Sequence, residues 1–386
     1  MAHRLLLVVN NINGLGGMEV QLTYLAGGLA RLGHHVRLVS IRTRDGQQGP
    51  PVDDTVEVVH LGASSRNDQP RATAQLFAHA RWSDLVHCTG WDASLWGRLA
   101  AIAARRPVVV AEHSAGREHQ ISGSGAPRGQ WIARHNRVLD PFTAVTVVCA
   151  NWQRSVLEGE GVDRRKIAYI PNGVPVARLR DRARHGLTRS DLGIPADAPV
   201  LAHVARFRPQ KRQQLTLETA EALRATHADL HIVFAGDGPD LEAVRSRAAE
   251  MGAGWAHFLG RQDNVPAILR LADAVVLPSV GEAMPMVILE AIAVGVPVVA
   301  TAVGDVATIL ERTGAGVHVP PEDTDGFKAA CRTLLGDPEL RAGLAAAAER
   351  ARTEIDAATM ATRYADLFDV VLRRSTIVGA PAPAIS

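Results

Sequence analysis

Leu5-Leu-Leu-Val-Val-Asn-Asn-Ile-Asn-Gly-Leu-Gly-Gly-Met-Glu19 decides how the rest of the chain is read. Its five leading apolar residues are too few for a membrane span or for the apolar region of a secretory leader. They lack polar alternation, which marks a short strand buried on both faces. The glycine-rich turn behind them opens a helical pattern over Glu19–Leu32, and another apolar run, Val36–Ile41, follows. Strand, turn, helix, buried strand is the repeating unit of a parallel, doubly wound sheet.

The rhythm continues through Val56–Leu61, Leu85–Cys88, Leu95–Ala104, Val108–Ala111 and Ala144–Cys149, then stops near Pro171-Asn-Gly-Val-Pro175. It restarts at Val200–Ala205 and runs through helix Gln213–Thr226, Leu230–Ala235, helix Asp240–Met251, Trp255–Leu259, Ala274–Leu277, a helix through Glu290, Pro297–Ala300 and Val306–Arg312. Helices Pro338–Arg352 and Ala357–Arg373 close it. The expected organisation is α/β with two Rossmann-like domains, residues 1–175 and 200–356. An Arg-rich linker is expected over 176–199, a terminal helix over 357–374 and a disordered tail over 375–386.

At 386 residues the chain exceeds the size of one core, in keeping with two domains. Hydrophobic residues make up 47% and charged residues 21%, values of a water-soluble protein, and a cytoplasmic location is expected. The three cysteines, Cys88, Cys149 and Cys331, are too scattered for a zinc cluster or a disulfide framework and read as core thiols. A net charge of +2 gives no reason to expect a nucleic-acid partner. Lysine occurs only at 166, 211 and 328 among 42 basic residues, so each lysine merits a reason.

Ligands of open α/β sheets gather beyond the carboxyl ends of the strands. Gly16 and Gly17 lie there, where glycine lets backbone approach a ligand and a helix N-terminus attracts anions. No acidic residue closes the second strand, which ends Ser40-Ile-Arg-Thr43, so a nicotinamide dinucleotide is disfavoured. Ala205-Arg-Phe-Arg-Pro-Gln-Lys-Arg212 ends the first strand of the second half; Arg206 and Lys211 could reach a phosphate, or the segment could be a solvated basic turn. In Phe234-Ala-Gly-Asp-Gly-Pro239, Asp237 reads as the N-cap of the next helix. In Val280-Gly-Glu-Ala-Met-Pro-Met-Val-Ile-Leu-Glu-Ala291, Pro285 suits a first helical turn, placing Glu282 ahead of an apolar helix and Glu290 on its second turn. The helical neighbours of Glu290 offer no donor, so its partner is a remote arginine or a ligand hydroxyl.

Glu282 and Glu290, with seven residues between them, resemble the signature of the retaining family-four glycosyltransferases. The resemblance extends in order through Gly14–Glu19, Glu112-His113-Ser114, Ile170-Pro-Asn-Gly-Val174, Arg206 to Lys211, Ala235-Gly-Asp-Gly-Pro239 and Gly295-Val-Pro-Val-Val-Ala-Thr301. It implies a GT-B fold with facing domains and a cleft between them, the first taking the acceptor and the second a nucleoside-diphosphate sugar, UDP-glucose or UDP-GlcNAc being favoured. It implies that Arg206 and Lys211 bind the diphosphate, Glu290 the ribose, and Glu282 hydroxyls of the transferred sugar. His113 would face that sugar, and Gly16, Gly17, Asn172, Gly236, Met284, Pro285, Met286 and Val287 would belong to the donor side. No metal or cofactor is implied. The terminal helix would return to the first domain.

The chain departs from the family pattern after Glu282, where Ala283-Met284-Pro285-Met286 stands in place of the common Gly-Phe-Gly-Leu, and at Ala307-Thr308. An epimerase of nucleotide-sugars on the same architecture is the competing enzyme class. Acceptors implied are polysaccharide, glycolipid or a small cyclitol, with Trp91-Asp92 a candidate lining. Residues 128–139 read as a basic amphipathic helix able to touch a membrane surface, and 114–128 as a mobile acceptor-side loop.

Overall fold

The computed structural model describes residues 1–13, 16–42, 49–63, 68–113, 134 and 137–375. The expected acceptor-side loop, almost all of the expected surface helix and the tail beyond Ser375 lie outside the described residues.

The chain forms two units, one of residues 1–173 and 357–386, the other of residues 174–356. In the first unit the elements are β1 (Arg4–Val9), α1 (Gly17–Arg31), β2 (His35–Ser40), β3 (Glu57–His60), α2 (Gln69–Trp82), β4 (Leu85–Thr89), α3 (Trp91–Ala104), β5 (Val108–Glu112), β6 (Val145–Val148), α4 (Gln153–Gly159) and β7 (Ile167–Tyr169). All strand pairs are parallel, in the order β3-β2-β1-β4-β5-β6-β7. Alternation along β1 explains its unbroken apolar run. Leu5, Leu7 and Val9 enter one core with Leu22, Leu25 and Leu29 of α1, whereas Leu6 and Val8 enter another with Leu76, Ala93 and Ala100. Every side chain therefore leaves water, whichever face it takes.

The second unit contains α5 (Val176–Ala183), β8 (Val200–Val204), α6 (Gln213–Leu223), β9 (His231–Ala235), α7 (Leu241–Glu250), β10 (Ala256–Phe258), α8 (Val265–Arg270), β11 (Ala274–Leu277), α9 (Met286–Val294), β12 (Val298–Thr301), α10 (Val306–Thr313), β13 (Gly316–Val319), α11 (Thr324–Gly336) and α12 (Pro338–Ala351). Its parallel sheet runs β10-β9-β8-β11-β12-β13. No linker spans 176–199. Instead α5 packs on α8 and α9, and the residues after it are tied down by Arg189. That guanidinium donates to the carbonyls of Leu271 (2.9 Å), Ala196 (2.8 Å) and Ala198 (3.1 Å) and to Asp273 Oδ2 (3.1 Å). Side chain to backbone bonds do there what apolar periodicity does elsewhere, and they leave no pattern in the sequence.

The last helix, α13 (Ala357–Ser375), belongs to the first unit and packs on α1. A Cβ on Gly28 of α1 would sit 2.5 Å from the Cβ of Ala361, so the two helices approach too closely for any larger residue. Gly28→Val is expected to overpack this contact and lower stability by about 1–3 kcal/mol, read as a fall in thermal midpoint. No helix among the described residues is long and apolar enough to cross a membrane.

Candidate functional site

In the second sheet the strand order reverses between β8 and β11, leaving a gap where the loops beyond their carboxyl ends turn opposite ways. The loop after β8 ends in a 3-10 turn, Pro209–Lys211, and the loop after β11 carries Glu282. The two are joined where the Val280 N–H donates to the Gln210 carbonyl at 2.9 Å. Across this junction Lys211 Nζ bonds Glu282 Oε1, so residues 71 apart in sequence form an ion pair. Ser279, fully buried, donates its hydroxyl to the same carboxylate oxygen at 2.8 Å, and Thr301 Oγ1 in turn donates to the Ser279 carbonyl.

The backbone around Glu282 is held from a third side. A Cβ on Gly304 would collide with the carbonyl oxygens of Glu282 and Ala283, and the Asp305 N–H donates to Ala283 at 3.0 Å. Glycine is required twice more, because Gly236 and Gly238 have φ of 143° and 144° and lie against the Ala205 and Phe207 carbonyls. This clasp, completed by the Phe207 N–H on the Asp237 carbonyl at 2.6 Å, brings the β9 loop onto the β8 loop. Asp237 is not the N-cap expected of it. The helix begins later, at Leu241 after Asp240, and Asp237 contributes its backbone while its side chain stays exposed.

Arg206 stands on the β8 loop with an exposed side chain whose guanidinium makes no ion pair or hydrogen bond among the described residues, while its carbonyl accepts the Gln213 amide at 3.1 Å. Of Lys211 and Arg206 on this loop, the first is compensated by an acid and the second is open to solvent.

Pro285, with φ −71° and ψ 121°, is the residue before α9 rather than within its first turn. Met284, Pro285 and Met286 are buried; Val287, Glu290 and Val294 share the less buried stripe of the helix. Burial among apolar neighbours pushes the Glu290 carboxyl up to about 7, opposed by the positive charge of Arg182 on α5. Arg182 makes no ion pair with Glu290; its guanidinium donates to the Asp263 carbonyl, and the Asn264 amide donates to the Arg182 carbonyl at 3.0 Å. Glu290 has no hydrogen-bond or ion-pair partner among the described residues. Of the remote-arginine alternative, the described residues show a through-space influence of Arg182 and no ion pair.

The first unit carries its own strand-order reversal, between β1 and β4, where Asn10 Oδ1 accepts the Ala93 N–H at 3.0 Å. Gly16, extended at φ −73° and ψ 156°, precedes α1, and Gly17 is its first residue; no side chain caps the helix. Asp92 is paired with Arg42 at 2.8 Å. His113 follows β5, with Nε2 buried and without a partner among the described residues, and burial pushes its imidazole down to about 4, so the ring is neutral at physiological pH. His87 on β4, pushed down to about 3, lies edge-on to Tyr364 of α13 at 5.5 Å. Asn172 is buried beyond β7. Among the described residues, no group of three or more His, Cys, Asp or Glu is placed to hold a metal ion.

The pattern of the family described as glycosyl transferases group 1 matches residues 187–351, and that of the glycosyl transferase 4-like domain matches residues 16–173. The D-inositol 3-phosphate glycosyltransferase of Kineococcus radiotolerans is 32% identical over 87% of this chain and 86% of its own. The chain belongs to the family-four, group 1 glycosyltransferases. Another relative in this family, the phosphatidyl-myo-inositol mannosyltransferase of Mycolicibacterium smegmatis, is 27% identical over 92% of this chain and 90% of its own. Among solved structures, that of Anabaena Alr3699/HepE in complex with UDP and glucose matches with a TM-score of 0.77 at 20% identity, covering 95% of this chain and 100% of that one. Sucrose-phosphate synthase from Thermosynechococcus elongatus matches with a TM-score of 0.77 at 20% identity, covering 96% and 100%. The fold of this glycosyltransferase is GT-B.

Ser279 was not singled out in the sequence of this glycosyltransferase, although it stands three residues before Glu282. A serine in an apolar strand end carries no signal until its acceptor is known. Arg182 was hidden among the many arginines of its segment.

Proposed function

We propose that this chain transfers a sugar from a nucleoside-diphosphate sugar, a UDP-sugar first, to an acceptor hydroxyl with retention of configuration and without a metal. The carrying observation is the Lys211–Glu282 pair at the β8–β11 reversal, with Arg206 beside it on one loop and Glu290 on the helix that follows the other, neither side chain having a partner among the described residues. Arg206 and Lys211 meet the diphosphate and stabilise the charge that grows as it leaves. Glu290 accepts the ribose hydroxyls. Glu282, held at one oxygen by Lys211 and Ser279, offers the other to hydroxyls of the sugar. Met284 to Val287 and Gly236 shape the same side.

The acceptor oxygen attacks the anomeric carbon on the face from which the diphosphate departs. The carbon–oxygen bond to phosphate breaks, the new glycosidic bond forms, and the acceptor proton passes to the leaving phosphate oxygen. Neutral His113, in the first unit, is suited to hydrogen-bonding a hydroxyl and unsuited to carrying a charge. The names of the inositol-directed relatives support a cyclitol or its phosphate as acceptor.

UDP-glucose, UDP-GlcNAc and GDP-mannose should be offered with myo-inositol and its phosphates in excess chelator, and the product anomer read by NMR. Transfer with the donor's anomeric configuration is expected. Activity abolished by chelator and restored by magnesium or manganese would refute metal independence, and an inverted product would refute retention.

A further inference from the structure

Lys211 has a counter-charge within the protein itself. Its ammonium is bonded to Glu282, whose residue is 8% exposed, and that acid cannot easily swing away. Ser279 holds the carboxylate, Gly304 and Asp305 hold the backbone behind it, and Val280 ties the loop to Gln210. Arg206, by contrast, is exposed and screened by water, so of the two cations Lys211 is the one whose compensation changes the field in the site.

We propose that Glu282 is the counterweight to Lys211, weakening the grip of the site on nucleoside diphosphate and so promoting release of the spent product. A free nucleoside diphosphate carries one more negative charge than the same group esterified to a sugar. A half-buried ammonium without compensation would therefore favour product over donor, and each turnover would end in a trapped complex. A fixed carboxylate against the lysine subtracts from that attraction throughout the cycle. When the donor is bound, its sugar hydroxyls engage the carboxylate; once the sugar has gone, the acid remains close to the lysine and the diphosphate. The inference rests on the donor-site reading above and adds a second duty to Glu282, distinct from holding the sugar.

The experiment is calorimetric titration of UDP and GDP into the full-length wild type, Glu282→Gln, Glu282→Ala, Lys211→Ala and the double variant Lys211→Ala with Glu282→Gln. Removing a unit charge a few ångströms from a diphosphate in a half-buried site should change affinity by about tenfold. Both Glu282 variants should bind the preferred nucleotide about tenfold more tightly than wild type and show stronger product inhibition. Lys211→Ala should bind most weakly, and the double variant should return towards wild type. The double variant leaves no unpaired buried charge, so the comparison with Lys211→Ala stands even where a single Glu282 substitution fails to fold. Unchanged or weaker binding in folded Glu282 variants, or a double variant as weak as Lys211→Ala, would overturn the counterweight while leaving the donor site intact. Absence of nucleotide binding by the wild type would overturn both.

Discussion

Lys211→Ala is expected to lower kcat by about two to three orders of magnitude, the usual cost of deleting a preorganised group aimed at developing charge. It should also lower the thermal midpoint. With the lysine gone, the Glu282 carboxylate keeps Ser279 but loses its cation in a buried place, and stranded buried charges are strongly destabilising. Adding Glu282→Gln should restore the melting temperature without restoring turnover, which separates the structural part of the defect from the catalytic part. Arg206→Ala makes the contrast. Its side chain has no partner among the described residues to abandon, so activity should fall at an unchanged midpoint. Initial rates and thermal melts on the same preparations decide the matter: wild-type kcat in both variants would reduce the loop to a solvated basic turn.

Glu290→Gln is expected to raise donor KM by roughly ten- to hundredfold, equivalent to about 1.5–3 kcal/mol for charge-assisted hydrogen bonds, with kcat less affected because the ribose is held alike before and during reaction. The pH dependence gives an independent reading. Since the Glu290 carboxyl is raised to about 7, donor kcat/KM of the wild type should fall as pH drops below that value, whereas the glutamine variant should show no such limb. Stability should move the other way. The unfolded carboxyl ionises in its ordinary range and the folded one only near 7, so ionisation of Glu290 erodes wild-type stability as pH rises between the two. Above 7 the glutamine variant should therefore melt no lower than wild type. A variant that binds donor normally would show that Glu290 takes no part in donor binding.

The sheets were legible because buried parallel strands are short, continuous apolar runs, and Leu5 to Val9 serves both faces. Strand β13 and helix α11 went unread, since Gly316–Val319 is half exposed and interrupted by His318. The residues 176–199 look like a linker because their order rests on Arg189, on the Leu271 carbonyl and on the Asp273 carboxylate, far along the chain. The same distance governs the site. Lys211 and Glu282 could each be picked out, one as a rare lysine and the other as an acid in an apolar passage. That they meet depends on β8 and β11 being neighbours, which is a property of strand order and not of either loop. Glu290 was the clearer case, since the lack of a donor on its own helix could be read directly, and it has no hydrogen-bond or ion-pair partner among the described residues.

Because α13 completes the first unit, residues 174–356 are an insertion within it. A ribosome releasing the chain from its N-terminus must therefore finish the second unit before the first can close. Until Met360, Tyr364 and Phe368 emerge, the core that holds Leu5, Leu7, Leu22 and Leu25 is incomplete, and the nascent first unit keeps apolar surface in water. A chain cut short before α13 would be injured in the unit that its first residues build.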